Sequence, residues 1–114
     1  MQAVIKSFEG MIDEPDDYVS EDPANDAFLL RMMIGPAHSP GIDAFDILVC
    51  TPGWLAQETE QKGPQLRRHM LVMATLDLTR AQDFLRRRVE QLTAPNWEDI
   101  ARKLARIGHW ELED

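Results

Sequence analysis

Residues 34–55 read IGPAHSPGIDAFDILVCTPGWL. One strand ends at Ile34, Gly/Pro punctuation at 35–36 and 40–41 turns the chain, and a second strand covers 43–50. In that second strand Phe45, Ile47 and Val49 alternate against Asp46, Leu48 and Cys50. Thr51-Pro52 then opens a helix. The hydroxyl can cap the first turn, and proline suits the first helical position, where an N–H would have no intrahelical partner. Reading backwards, residues 27–34 set Phe28, Leu30, Met32 and Ile34 on one face and Leu29, Arg31 and Met33 on the other. A strand apolar on nearly both sides belongs in the interior of a sheet. A hairpin centred between His38 and Ser39 puts Arg31 across from Asp46, an opposite-charge pair worth about 0.2–1 kcal/mol.

The flanks extend this pattern. Residues 2–12 alternate and predict a first strand with Val4, Phe8 and Ile12 on one face. Residues 13–26, DEPDDYVSEDPAND, are a loop with seven acids, two prolines and no base. Gly63-Pro64 ends the helix opened at Thr51, and residues 67–76 predict a fourth strand. Thr79 and Gln82 form a T-x-x-Q capping box ahead of a helix whose apolar stripe is Ala81, Phe84, Leu85, Val89 and Leu92. Ala94-Pro95 breaks it, and Asn96 caps another helix with Trp97, Ile100, Leu104 and Ile107 as its stripe. Glu98 and Asp99 open that helix, Arg102, Lys103 and Arg106 fall toward its end, and Gly108 is placed to be its C′ residue. A short strand over 109–112 can rejoin the sheet. The order β-β-β-α-β-α-α-β predicts an α+β fold: a mostly antiparallel β-sheet of four to five strands with two or three helices packed on one face.

A chain of 114 residues is expected to form a single domain, 1–114, that buries its own core. It contains no apolar run of membrane-spanning length and no signal-peptide pattern at its start, and its single cysteine permits no internal disulfide. A cytoplasmic location is the expectation. The charge is uneven: residues 1–60 hold 12 acids against Lys6 and Arg31, whereas residues 61–114 hold 10 Lys/Arg against 8 acids. The acidic half disfavours direct nucleic-acid binding and favours a basic partner.

Five words in the chain resemble the immunity protein 8 family, small proteins encoded beside bacterial polymorphic toxins. They are Ile34-Gly35-Pro36, Gly41-x-Asp43-x-Phe45, Val49-Cys50-Thr51-Pro52-x-Trp54-Leu55, Trp97-Glu98-Asp99-Ile100 and Ile107-Gly108-His109-Trp110-Glu111. The resemblance implies a protein that binds and silences a toxin with no chemistry of its own. Within these words Gly35, Pro36, Phe45, Cys50, Thr51, Pro52, Trp54, Trp97, Gly108 and Trp110 are expected to be scaffold rather than toxin contacts.

The residues themselves offer little catalytic apparatus. Cys50 sits in an apolar strand, where a free cysteine is ordinarily a small buried hydrophobe. His38, His69 and His109 lack zinc-site spacing, and no phosphate-cradling glycine loop or nucleophile elbow is present. Neither metal nor cofactor is expected. The acidic run lacks the calcium-loop pattern. It is either a solvated loop or a binding surface, and Tyr18 and Val19, set among acids, favour binding because they can anchor a contact inside a charged rim. The candidate toxin-binding residues are therefore Asp13, Glu14, Asp16, Asp17, Tyr18, Glu21, Asp22 and Asp26, with the 35–42 loop expected beside them.

The leading function is that of an immunity protein that occludes a cytoplasm-acting toxin domain stoichiometrically. That toxin is expected to be basic, with a nuclease first, and no membrane partner is expected. The alternative is a small cytoplasmic adaptor or assembly subunit that binds a basic protein. An enzyme using Cys50 ranks below both. Monomer and homodimer remain equally open on the residues alone.

Overall fold

The computed structural model describes residues 1–112. Its elements run β1 (Ala3–Gly10), β2 (Ala27–Pro36), β3 (Asp43–Cys50), α1 (Pro52–Lys62), β4 (Met70–Val72), α2 (Leu78–Glu90), α3 (Trp97–Leu104) and β5 (His109–Trp110). The α+β fold read from the sequence is present, with β1, β2 and β3 adjacent and antiparallel. Arg31 pairs with Asp46 as the hairpin register requires, in a two-pronged ion pair at 2.8 and 3.0 Å.

The far edge of β3 is shared. β4 pairs parallel with residues 48–50, and β5 pairs antiparallel with residues 45–46. A parallel neighbour requires a crossover, and α1 with the 63–69 segment supplies it. One face of the sheet carries the core. Leu30, Met32 and Ile34 of β2 and Phe45 and Val49 of β3 are wholly buried against Leu85, Val89, Ile100 and Leu104 of α2 and α3. On the other face of β2 Leu29 is 40% exposed, and Arg31 and Met33 are half-buried.

Several local expectations are corrected. β1 stops at Gly10, and a bulge at Lys6 breaks its period. An inserted residue reverses facing, so Val4 lies opposite Gly35 while Phe8 joins Ile5 on the core side, and Ile12 is outside the strand at 96% exposure. β4 has only three residues because His69, at φ 59°, interrupts the extended run. Asp77, not Thr79, caps α2, accepting from Arg80 N at 3.2 Å. The earlier start brings Leu78 into the stripe with Ala81, Leu85 and Val89, whereas Phe84, about 100° round the helix from Leu85, is 46% exposed.

Gly108 is not the C′ residue of α3, which ends at Leu104 with Ala105 as its C-cap. The glycine is needed for close approach: a Cβ there would lie 2.9 Å from Met32 Cε and 3.1 Å from Phe45 Cβ. Gly35 has the same cause, since its Cβ would fall 2.0 Å from the Gly41 carbonyl oxygen. Lys6 secures that contact by donating to the carbonyls of Ser39 and Gly41 at 2.8 and 3.0 Å.

The two faces of β2 give a direct test. Leu30→Ala should destabilise the chain by about 2–5 kcal/mol in urea unfolding, and Leu29→Ala by less than about 1 kcal/mol. Equal losses would contradict the assigned facing.

Candidate functional site

The acidic loop is built onto one end of the sheet. It leaves β1 at Gly10 and enters β2 at Ala27, so it sits where β3 hands over to α1. Short turns shape it: Asp17 N donates to Glu14 O and Asn25 N to Asp22 O, each at 3.0 Å. Two anchors dock it, with Leu76 N donating to Pro23 O at 2.7 Å and Asn25 Nδ2 to Gln57 Oε1 at 2.7 Å. Pro15 is buried beneath it.

Asp26 is the centre of the loop's own bonding. Its carboxylate accepts from Tyr18 Oη at 2.6 Å, Ser20 Oγ at 2.5 Å and Ala27 N at 2.8 Å. Thr51 continues the network: its N–H donates to Asp26 O at 3.1 Å, and its Oγ1 accepts from Asp26 N at 3.2 Å and Trp54 N at 3.3 Å. The Tyr18 ring rests on Phe28, with centroids 4.9 Å apart. These contacts order a highly charged segment that composition alone would leave to solvent.

Charge and burial show in the titration of both partners. The bond to Asp26, then burial, then the charges of Asp26, Asp13 and Glu21 push the Tyr18 phenol up to about 12. Burial raises Asp26, but the Ser20 and Tyr18 hydroxyls and the Ala27 N–H outweigh it and hold the carboxyl below its ordinary range.

Asp13, Asp17, Tyr18, Glu21, Asp22 and Asp26 are brought together around one hollow of about 580 Å³, with Val19 and Asn25. Asp16 faces an adjoining hollow of about 380 Å³ against Thr75 to Thr79. Glu14 lines neither. Within the set, Tyr18 and Asp26 are bonded to each other, and the other six acids are exposed. The sequence reading named Val19 as an anchor but missed Met11 and Ile12 on the apolar side of the site. Met11, Ile12 and Val19 stand 61%, 96% and 84% exposed, and Met11 and Ile12 flank a hollow that reaches Leu29. Period-two alternation had hidden Ile12 inside a strand.

The 35–42 loop is not beside this site. It caps the opposite end of β2, a ten-residue strand about 30 Å long. His38 goes with it.

Cys50 is fully buried, and burial raises its thiol pKa more than nearby Arg67 lowers it, which fits packing rather than nucleophilic attack. His69 Nε2 bonds the Ala105 carbonyl at 2.7 Å. Among the described residues no three His, Cys, Asp or Glu side chains are grouped to hold a metal ion, and no helix is long and apolar enough to cross a membrane.

The family described as Immunity protein 8 matches residues 3–114. The chain belongs to the immunity protein 8 family. Membership makes it an immunity protein directed against a polymorphic toxin. No curated protein and no solved structure matches it.

The residues that carried the resemblance to the immunity protein 8 family have structural work to do. Phe45 stacks on Trp110 at 6.1 Å, and Trp97 Nε1 donates to Asp43 Oδ2 at 2.7 Å. Thr51 caps α1, Pro52 is its first residue, and Trp54 lies under the Arg67 guanidinium at 5.1 Å.

Tyr18 is the only tyrosine, so the site can be read by absorbance. Alkaline titration should place its midpoint near 12. The shift adds stability that is complete below the ordinary tyrosine pKa of about 10 and is lost as pH rises through the folded value. Asp26→Asn should bring the midpoint down toward the ordinary value; an unshifted wild-type midpoint would contradict the bonded pair. Asp26 itself has a depressed folded pKa, so its contribution is complete above the ordinary aspartate pKa of about 4 and disappears as pH falls through the lower folded value.

Proposed function

We propose that this immunity protein neutralises a cytoplasm-acting toxin by stoichiometric occlusion, and that the 11–26 loop is the face that meets it. The carrying observation is the ordered loop itself: six exposed carboxylates on a docked backbone, next to exposed Ile12 and Val19. A charged rim around an apolar anchor is the usual division of labour at tight interfaces. The carboxylates steer a basic partner and speed encounter, while buried apolar contacts slow dissociation. A nuclease fits first, because the cleft of an enzyme that acts on a polyanion is lined with Lys and Arg.

In this reading Tyr18 and Asp26 hold the loop in shape, and Asp13, Asp16, Asp17, Glu21 and Asp22 face the toxin. A loop already fixed before binding loses less entropy on association than a disordered one. Blocking the toxin needs no catalytic group on this chain.

Co-expression with the C-terminal domain of any long reading frame found just upstream tests the reading. Rescue of growth and a 1:1 complex by mass would support it; toxicity without rescue would turn attention to the adaptor function. Charge reversal locates the face. Asp16, Asp17, Glu21 and Asp22 changed together to Lys should slow association several-fold and flatten its dependence on salt, and Ile12→Asp should mainly speed dissociation. Unchanged kinetics in both variants would move the interface elsewhere.

A further inference from the structure

We propose that the outer edge of β4 is a strand-addition site for an extended polypeptide segment with apolar residues between two acids. It lies outside the acidic loop and carries the opposite charge, and its test needs no toxin.

The edge follows from the hydrogen bonds of β4. Leu48 N donates to His69 O at 2.9 Å, and Met73 N donates to Cys50 O at 3.0 Å. Backbone groups alternate sides along a strand, so residues 69, 71 and 73 bond β3 while Met70 and Val72 aim their N–H and C=O away from the sheet. No other described strand lies on that side. Val72 is 47% exposed. A strand with free backbone groups and an apolar flank is a template for another strand.

The sheet edge does not stand alone. Leu71, Val72 and Met73 share a groove of about 360 Å³ with Phe84, Arg80 and Arg87 of α2. Phe84 is the aromatic residue that the helix turns away from the core, and here it forms the groove floor beside β4. Asp83, also on the rim, lies 3.9 Å from Arg86. Among the described residues Arg80 and Arg87 pair with no carboxylate. The groove therefore offers apolar surface between two free cations.

Geometry sets the pattern of the occupant. Arg80 and Arg87 are seven helical residues apart, about 10 Å along the axis. Two acids four residues apart on a strand are separated by about 13 Å and point to the same face, within reach of two long arginine side chains. The residue midway between them would cover Phe84, and the two intervening side chains would lie on the open face of the sheet beside Val72. Main-chain bonds to Met70 and Val72 give affinity, and the alternate side chains give selectivity. The segment belongs to a protein partner that presents an exposed strand or hairpin of this chemistry.

The probe is a blocked peptide, Thr-Glu-Val-Leu-Val-Glu-Thr, titrated into the full ¹⁵N-labelled chain. Expected are saturable shifts confined to the amides of residues 70–73 and 80–87, with slowed solvent exchange at Val72. Replacing both acids by Lys in the peptide should weaken binding several-fold. Val72→Pro removes the outward N–H and should abolish binding. Phe84→Glu, at a half-exposed position, should do the same while leaving the fold intact. Shifts elsewhere, no saturable shifts, or equal binding of the Lys peptide would overturn the proposal.

Discussion

The junction between Asp26 and Thr51 is the constraint on which the rest of the site depends. One backbone bond and two bonds of the Thr51 hydroxyl join the last residue before β2 to the last before α1. Thr51 is fully buried, so these polar atoms must find partners within the protein. It finds them by capping α1 and closing the end of the β2–β3 pair at once. Asp26 then extends the junction outward through Tyr18 and Ser20, and it does so with a charged acceptor, the stronger kind of hydrogen bond. A loop with seven acids can hold a shape because one of them is used to hold it.

The molecule thus separates scaffold from display. Gly35, Phe45, Thr51, Trp97, Gly108 and Trp110 solve packing and capping problems within the domain: a Cβ on either glycine would collide, Phe45 stacks on Trp110, Thr51 caps α1 and Trp97 bonds Asp43. The exposed carboxylates solve none of these problems. Such an arrangement lets the displayed surface change with little consequence for folding. It also explains why the strongest sequence words lie outside the face proposed to bind.

Much of this was readable from residues in order. The β2–β3 register followed from one Gly/Pro turn and two alternating runs, and the Thr51 and Asn96 caps followed from side-chain chemistry. Three local failures each turn on a single residue. Lys6 as a bulge exchanged the faces of β1, a left-handed His69 shortened β4, and Asp77 moved the start of α2. Periodicity carries no mark of such a shift. The separation of the 13–26 and 35–42 loops was present in the hairpin already, since one loop precedes β2 and the other follows it. The apolar residues beside the acids were obscured because Met11 and Ile12 look like the end of a strand.

The central claim is that the acidic loop, held by Asp26 and Thr51, is the surface that meets the toxin. Peptide-resolved hydrogen exchange on the purified complex, compared with the free chain, tests it most directly. The account predicts strong new protection across residues 11–22, with the buried strands unchanged. Full protection elsewhere on the domain, with residues 11–22 exchanging as they do in the free chain, would contradict it.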